Sequence, residues 1–224
     1  MTGSSRGRES YAQRRARRAE VDDPEVVLAA ALRYLEARAR SVTETRRRLS
    51  EAGYRDELVD GAIERLIALG LLDDEAFARH WVESRDRARP RGEVALRREL
   101  RLRGIDPAIV DAVLAERRAS AAGRFAGEAP ASHGDAIVDP DEVAAHRLLE
   151  RRRRDLERVS DPRKRRARAY ALLARNGFGP EIAARLAASL AGLGEDAADG
   201  PGEAAQDAAV TASDRPRDQD TGAG

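Results

Sequence analysis

Seven arginines fall within the twenty residues Arg87–Asp106, in the segment RARPRGEVALRRELRLRGID. A guanidinium presents its N–H donors as a planar fork that grips phosphate or carboxylate through two parallel hydrogen bonds. The chemistry on offer is anion binding, and the other reactive side chains do not add catalysis to it. His80, His133 and His146 lack the i, i+4 spacing of a helical metal pair. The one lysine, Lys164, lies in DPRKRRAR and not behind a glycine-rich phosphate loop. Cysteine is absent, which excludes disulfides, thiolate nucleophiles and Cys-based zinc sites. Carboxylates are plentiful, but on helices they cap or pair with arginine. The residues read as a non-enzyme with no metal and no cofactor.

Which of the cations face outward depends on the helices that carry them. Over 93–103 a rotation of about 100° per residue gathers Arg97, Arg98 and Arg101 into roughly a third of the circumference. Leu96 and Leu100 fall on another side, so the helix can be buried and still show a basic stripe. Two readings stand: a solvated face with Glu93 and Glu99 neutralising part of its charge, or a contact surface for an anionic partner. Arg89 and Arg91 flank Pro90 in the preceding connection, where a guanidinium can approach a phosphate. The run Arg151–Arg154 spreads over about 300° of a helix and so acts as a field more than a site, as does RKRR at Arg163–Arg166. The contact candidates are Arg89, Arg91, Arg97, Arg98, Arg101, Arg151, Arg154, Lys164, Arg165 and Arg168. Phe77 and Trp81, four apart, read as core filling in a chain with only 4% aromatic residues.

The elements that must position these groups are helices. Charged residues make up 36% of the 224 residues and apolar residues 42%, the latter mainly Leu, Ile, Val and Ala. Ala, Leu, Arg and Glu favour helix, while strand formers are too few for a sheet. Asp-Pro pairs at 23–24, 106–107, 139–140 and 161–162 mark helix starts, with Asp as cap and Pro in the first turn. Ser41 and Glu44 have capping-box spacing. Gly53, Gly70, Gly104 and Gly177 each follow an apolar helical pattern, as helix-closing residues do.

The closures also repeat. LSEAGY (Leu49–Tyr54), LRLRGI (Leu100–Ile105) and LARNGF (Leu173–Phe178) share a Leu, a Gly four residues on and a bulky apolar residue next. Leu58, Ile109 and Ile182 each follow five residues past the Gly. The pattern predicts an all-α chain of about nine helices, an elongated array of three tandem three-helix repeats with disordered termini. The repeats span 23–72, 73–121 and 139–194. Residues 122–138 read as a linker or insertion, 1–22 as a disordered basic segment and 195–224 as a disordered acidic tail.

The net charge of +1 conceals segregation. Residues 1–20 carry six Arg against two Glu, and 151–168 carry nine Arg and one Lys against three acids. Residues 195–224 carry eight acids against two Arg. Local fields of this kind select partners more than the total does. No apolar run approaches the ~18 residues of a membrane span, and the N-terminus has no secretory pattern. A cytoplasmic monomer without membrane contact is expected.

Three segments taken in order resemble the RecX family of recombination regulators: ALGLLDDEAFARHWVESR (Ala68–Arg85), RPRGEVALRRELRLRGI (Arg89–Ile105) and RARAYALLARNGFGPEIAARL (Arg166–Leu186). With the first repeat the resemblance covers about Asp23 to Leu193. Glu93 departs from it, standing where members often carry proline. The resemblance implies a curved array of three-helix repeats that lies along the groove of a RecA–single-stranded-DNA filament and restrains ATP hydrolysis and strand exchange. RecA would be the protein partner, with single-stranded DNA and, as a further candidate, double-stranded DNA beside it. The competing reading is a tandem-helical nucleic-acid-binding regulator acting without RecA.

Overall fold

The computed structural model describes residues 10–125 and 139–190, and among them every regular element is helical. After α1 (Tyr11–Ala19) come three triads: α2–α4 (Pro24–Glu36, Val42–Ala52, Asp56–Ala68), α5–α7 (Asp74–Ala88, Glu93–Arg101, Pro107–Phe125) and α8–α10 (Pro140–Glu157, Pro162–Arg175, Pro180–Leu190). The Asp caps act as their sequence implies. Asp23, Asp106, Asp139 and Asp161 each accept from a backbone N–H two residues on, at 2.7–2.9 Å, satisfying donors that a helix start leaves free. Ser41 and Glu44 complete a reciprocal capping box.

Two expectations need correction. Residues 11–19, assigned above to a disordered segment, form α1, and α7 runs through Phe125 into the segment read as linker. With α1 the described residues hold ten helices, not nine. α1 is launched by a Ser10–Gln13 capping box and packs on the first triad. The Tyr11 hydroxyl donates to the Glu51 carbonyl at 2.9 Å, Arg18 donates to the Ala52 carbonyl, and the Arg18 guanidinium lies over the Tyr54 ring. The expectations for residues 1–9, 126–138 and 191–224 lie outside the described residues.

Each triad closes its middle helix in the same way. Gly53, Gly104 and Gly177 have φ of 104°, 74° and 80°, a region that glycine enters without a Cβ clash. The next residue's N–H then reaches back to the Leu carbonyl: Tyr54 to Leu49, Ile105 to Leu100 and Phe178 to Leu173, at 3.2–3.4 Å. This is the Schellman closure, which normally brings an apolar contact with it. Both apolar partners are buried in all three copies, so the sequence repeat is a repeat of packing. Burying one such Leu or Ile contributes about 1.5–3 kcal/mol.

Three separate cores result. The first is built on Val27, Ile63 and Leu66 and the second on Leu96, Leu100 and Leu114. The third is smaller in side-chain volume, with Ala145, Ala169, Ala183 and Ala187 around Leu173 and Phe178. Among the described residues no cluster spans two triads, as expected of a chain whose units contact mainly their neighbours.

The triads are joined by a device used twice. At the first joint the Val42 N–H, at the start of α3, donates to Asp74 Oδ1 at 2.9 Å, at the start of the next triad. At the second the Glu93 N–H, at the start of α6, donates to Asp141 Oδ2 at 2.8 Å, in the first turn of α8. Each carboxylate caps the preceding repeat's middle helix at its positive end. The closing glycine of the following repeat packs beside the same helix start: Gly104 against Thr43, and Gly177 against Ala95. Glu93 therefore uses an N–H that proline would lack. Burial raises the Asp74 carboxyl above its ordinary pKa, with the Val42 hydrogen bond working in the opposite direction. Asp74→Ala removes one partly buried acceptor and is expected to cost about 1–2 kcal/mol. Thermal denaturation will read this as a lower midpoint with unchanged helicity at low temperature; an unshifted midpoint would mean that Asp74 does not hold the joint.

Candidate interaction surface

α6 is fixed by Leu96 and Leu100, both fully buried, and its far side carries the anion-binding candidates. Arg97 is engaged within the repeat: it donates to Glu93 Oε1 at 3.1 Å and pairs with Asp111 of α7. The hydrogen bond to Asp111 is the main reason the Arg97 guanidinium is held above its ordinary pKa, and the same bond lowers that of Asp111. Arg98 and Arg101 remain exposed. They are flanked on the same face by Val94, 66% exposed, and Leu102, 72% exposed. Positions 94, 98, 101 and 102 span about 100° of the helix. Two cations between two solvent-facing apolar groups make a surface that an apolar, acidic patch can cover. The exposed Val94 and Leu102 were not among the candidates above. Their signal in the sequence is an i, i+8 apolar pair lying off the Leu96/Leu100 face.

The other candidates divide by what they touch. Arg91 is tied into the second joint, pairing with Glu99 and with the side-chain oxygen of Asn176. Arg151 spans the same joint and donates to the carbonyls of Ala88 and Arg87, at 2.5 and 2.8 Å, capping the free carbonyls at the end of α5. Arg165 braces the α8–α9 turn through the Val159 and Ser160 carbonyls. Arg89, Arg154, Lys164 and Arg168 are exposed, and none of their side chains pairs with a carboxylate among the described residues. The basic segment thus mixes structural braces with free cations, and sequence spacing could not separate them.

Behind the α6 surface, charge is consumed internally. Arg117 of α7, with its side chain 6% exposed, reaches Asp86 of α5 at 2.9 Å and Asp141 of α8 at 2.6 Å. Burial works against the Arg117 charge, but the hydrogen bonds to Asp86 and Asp141 outweigh it and hold the guanidinium above its ordinary pKa. Burial pushes the Asp141 carboxyl up, against the pull of Arg117 and of the Glu93 N–H. An open cleft of about 1190 Å³ lies between α5, α7 and α8. Its charged walls are largely paired, with Arg79 on Glu116 and Arg117 on Asp86. Trp81 stacks with Phe77 at 6.1 Å, donates to Glu99 and lies beneath the Arg85 and Arg103 guanidiniums. Its ring is covered by the chain's own groups, in keeping with core filling. His80 and His146 are exposed helix residues.

Models of the first, second and third three-helix domains of RecX match residues 28–66, 73–114 and 141–186. A Mycobacterium protein (strain JLS) named Regulatory protein RecX is 34% identical over 152 residues, covering 68% of this chain and 74% of that protein. The chain belongs to the RecX family. Further relatives carrying the same name include one from Mycolicibacterium vanbaalenii, 43% identical over 84 residues. That match spans 38% of this chain and 46% of the relative. Another, from Prosthecochloris aestuarii, is 40% identical over 94 residues, covering 42% of this chain and 62% of the relative. The crystal structure of RecX from Lactobacillus salivarius superposes with a TM-score of 0.55 at 20% identity, over 75% of this chain and 97% of that one, and shares the fold. The three matched domains coincide with the three triads, so the joints built on Asp74 and Asp141 are the junctions between RecX domains. Among the described residues no helix is long and apolar enough to cross a membrane.

Proposed function

We propose that this chain binds the RecA–single-stranded-DNA filament and modulates it, mainly by slowing RecA's ATP hydrolysis and strand exchange. The observation that carries the reading is the repeated joint. Three-helix units linked through the same N–H-to-carboxylate contact present their middle helices at intervals, and a polymeric partner of identical protomers presents equivalent sites at intervals. Weak contacts made in series then accumulate as avidity. Membership of a family whose relatives are named regulatory proteins agrees with this role.

The α6 face is the part of this surface to test. Arg98→Glu with Arg101→Glu reverses two exposed charges without touching Leu96, Leu100 or the Arg97 ion pairs. The double variant is expected to lose about tenfold or more in affinity for the filament, with an unaltered circular dichroism spectrum. Co-sedimentation with RecA filaments measures the loss, and equal affinity would remove the α6 face from the interface.

A second reading, direct nucleic-acid binding independent of RecA, draws on the exposed cations of the third triad. It requires association with single-stranded DNA in the absence of RecA that weakens steeply with salt, as counterion release dictates. Association that requires RecA would set it aside.

A further inference from the structure

The three middle helices serve as internal controls for one another. α3 and α6 each carry three arginines and two glutamates, whereas α9, PRKRRARAYALLAR, carries six basic residues and no acid. The consequence is visible in the contacts. In α3 and α6, Arg47 pairs with Glu51 and Arg97 with Glu93. On the neighbouring α8, Arg152 and Arg153 pair with carboxylates of their own helix. Among the described residues no α9 cation has a carboxylate partner. Arg163, Lys164, Arg168 and Arg175 are exposed, and Arg165 is spent on backbone carbonyls. α9 thus carries a cationic face that no carboxylate among the described residues compensates.

The chain also holds the complementary charge. Residues 195–224 carry eight acids against two arginines. They follow closely on α10, which packs against α9 and α8. Thirty-four residues follow Leu190, and at coil dimensions a length of 34 residues spans on the order of 30 Å. α9, at 1.5 Å per residue, is about 21 Å long, so every cation on it is within reach. Tethering gives the segment an effective concentration on the order of millimolar, which favours it over the same segment of a second copy in dilute solution.

We propose that the acidic segment 195–224 docks intramolecularly on the cationic face of α9, so that a polyanion can engage this face only by displacing it. The contact is electrostatic, and salt therefore releases it. The inference does not rest on RecA as partner.

Because the chain has no cysteine, a single nitroxide can be placed in the full-length protein through Ala208→Cys and its effect on backbone amides read by NMR. At about 50 mM salt the expected result is loss of amide intensity along α9, with α3 and α6 spared. The loss should disappear at about 500 mM salt and in the Arg163→Gln, Lys164→Gln, Arg168→Gln variant, whose changes are all exposed. No intensity loss, equal loss on α3, α6 and α9, or loss that survives both salt and the substitutions would overturn the proposal. Mixing spin-labelled, isotope-unlabelled chain with isotope-labelled, spin-free chain should leave α9 unaffected. Broadening in that mixture would assign the contact to a second copy and overturn the intramolecular form.

Discussion

Asp141→Ala is expected to destabilise the second and third repeats by about 3 kcal/mol, the range for removing one partner of a buried ion pair. Asp141 serves two groups that have few alternatives. Its Oδ2 accepts the Glu93 N–H at the start of α6, and its Oδ1 accepts from Arg117 at 2.6 Å. Without it the α6 N–H loses its acceptor, and a guanidinium with a 6% exposed side chain keeps only Asp86 as a carboxylate partner. Asp141→Asn retains an acceptor for Glu93 but not the negative charge, and should lose less. Urea unfolding followed through Trp81, the single tryptophan, reports on the second repeat, while circular dichroism follows all three. Since repeats can unfold in steps, the two probes are expected to separate in Asp141→Ala. A loss below about 1 kcal/mol would show that Arg117 and α6 do not depend on this carboxylate.

Gly92→Ala is expected to open the second joint while leaving each repeat folded. The backbone at Gly92, with φ −74° and ψ 163°, suits any residue, so local strain is not the issue. The added methyl would fall 2.1 Å from the Gly177 carbonyl oxygen and 2.5 Å from the Phe178 nitrogen, well inside the ~3.5 Å of an ordinary contact. Both neighbours are backbone and cannot rotate away. The equivalent position in the first repeat, Ser41, does carry a side chain, whose hydroxyl donates to the Arg103 carbonyl at 2.6 Å. At the second joint the Gly92 N–H itself donates to the Asn176 carbonyl at 3.0 Å. The first joint is spaced by a side chain and the second is backbone on backbone. Gly92→Ala is therefore predicted to cost about 2–3 kcal/mol and to change the solution dimensions seen by small-angle X-ray scattering, with helicity retained. The proposed regulation of the filament is expected to fall with it. Unchanged stability together with an unchanged scattering profile would contradict this packing.

Much of the local architecture was legible in the residues. Gly53, Gly104 and Gly177 announced three helix closures because a left-handed residue bounded by apolar partners has few other uses. The Asp-Pro pairs announced helix starts for a similar reason. α1 was hidden by its basic composition, although Ser10-Tyr-Ala-Gln13 has capping-box spacing and the Tyr11 hydroxyl reaches the Glu51 carbonyl. The joints were not legible, because the link from Val42 to Asp74, or from Glu93 to Asp141, joins residues 32 or 48 apart that carry no mark of pairing. Spacing placed Arg97 and Arg101 on one stripe but could not reveal that Asp111 on α7 comes up to claim Arg97. In the same way Arg91, Arg151 and Arg165 read as surface charge until the carbonyls and the Asn176 side chain they brace are seen.

DNA-dependent ATP hydrolysis by RecA is the direct test of the proposed regulation of its filament. Titration of the folded chain into RecA on single-stranded DNA is predicted to slow hydrolysis at substoichiometric levels, with Gly92→Ala markedly weaker. Unchanged hydrolysis at one chain per RecA protomer would contradict it.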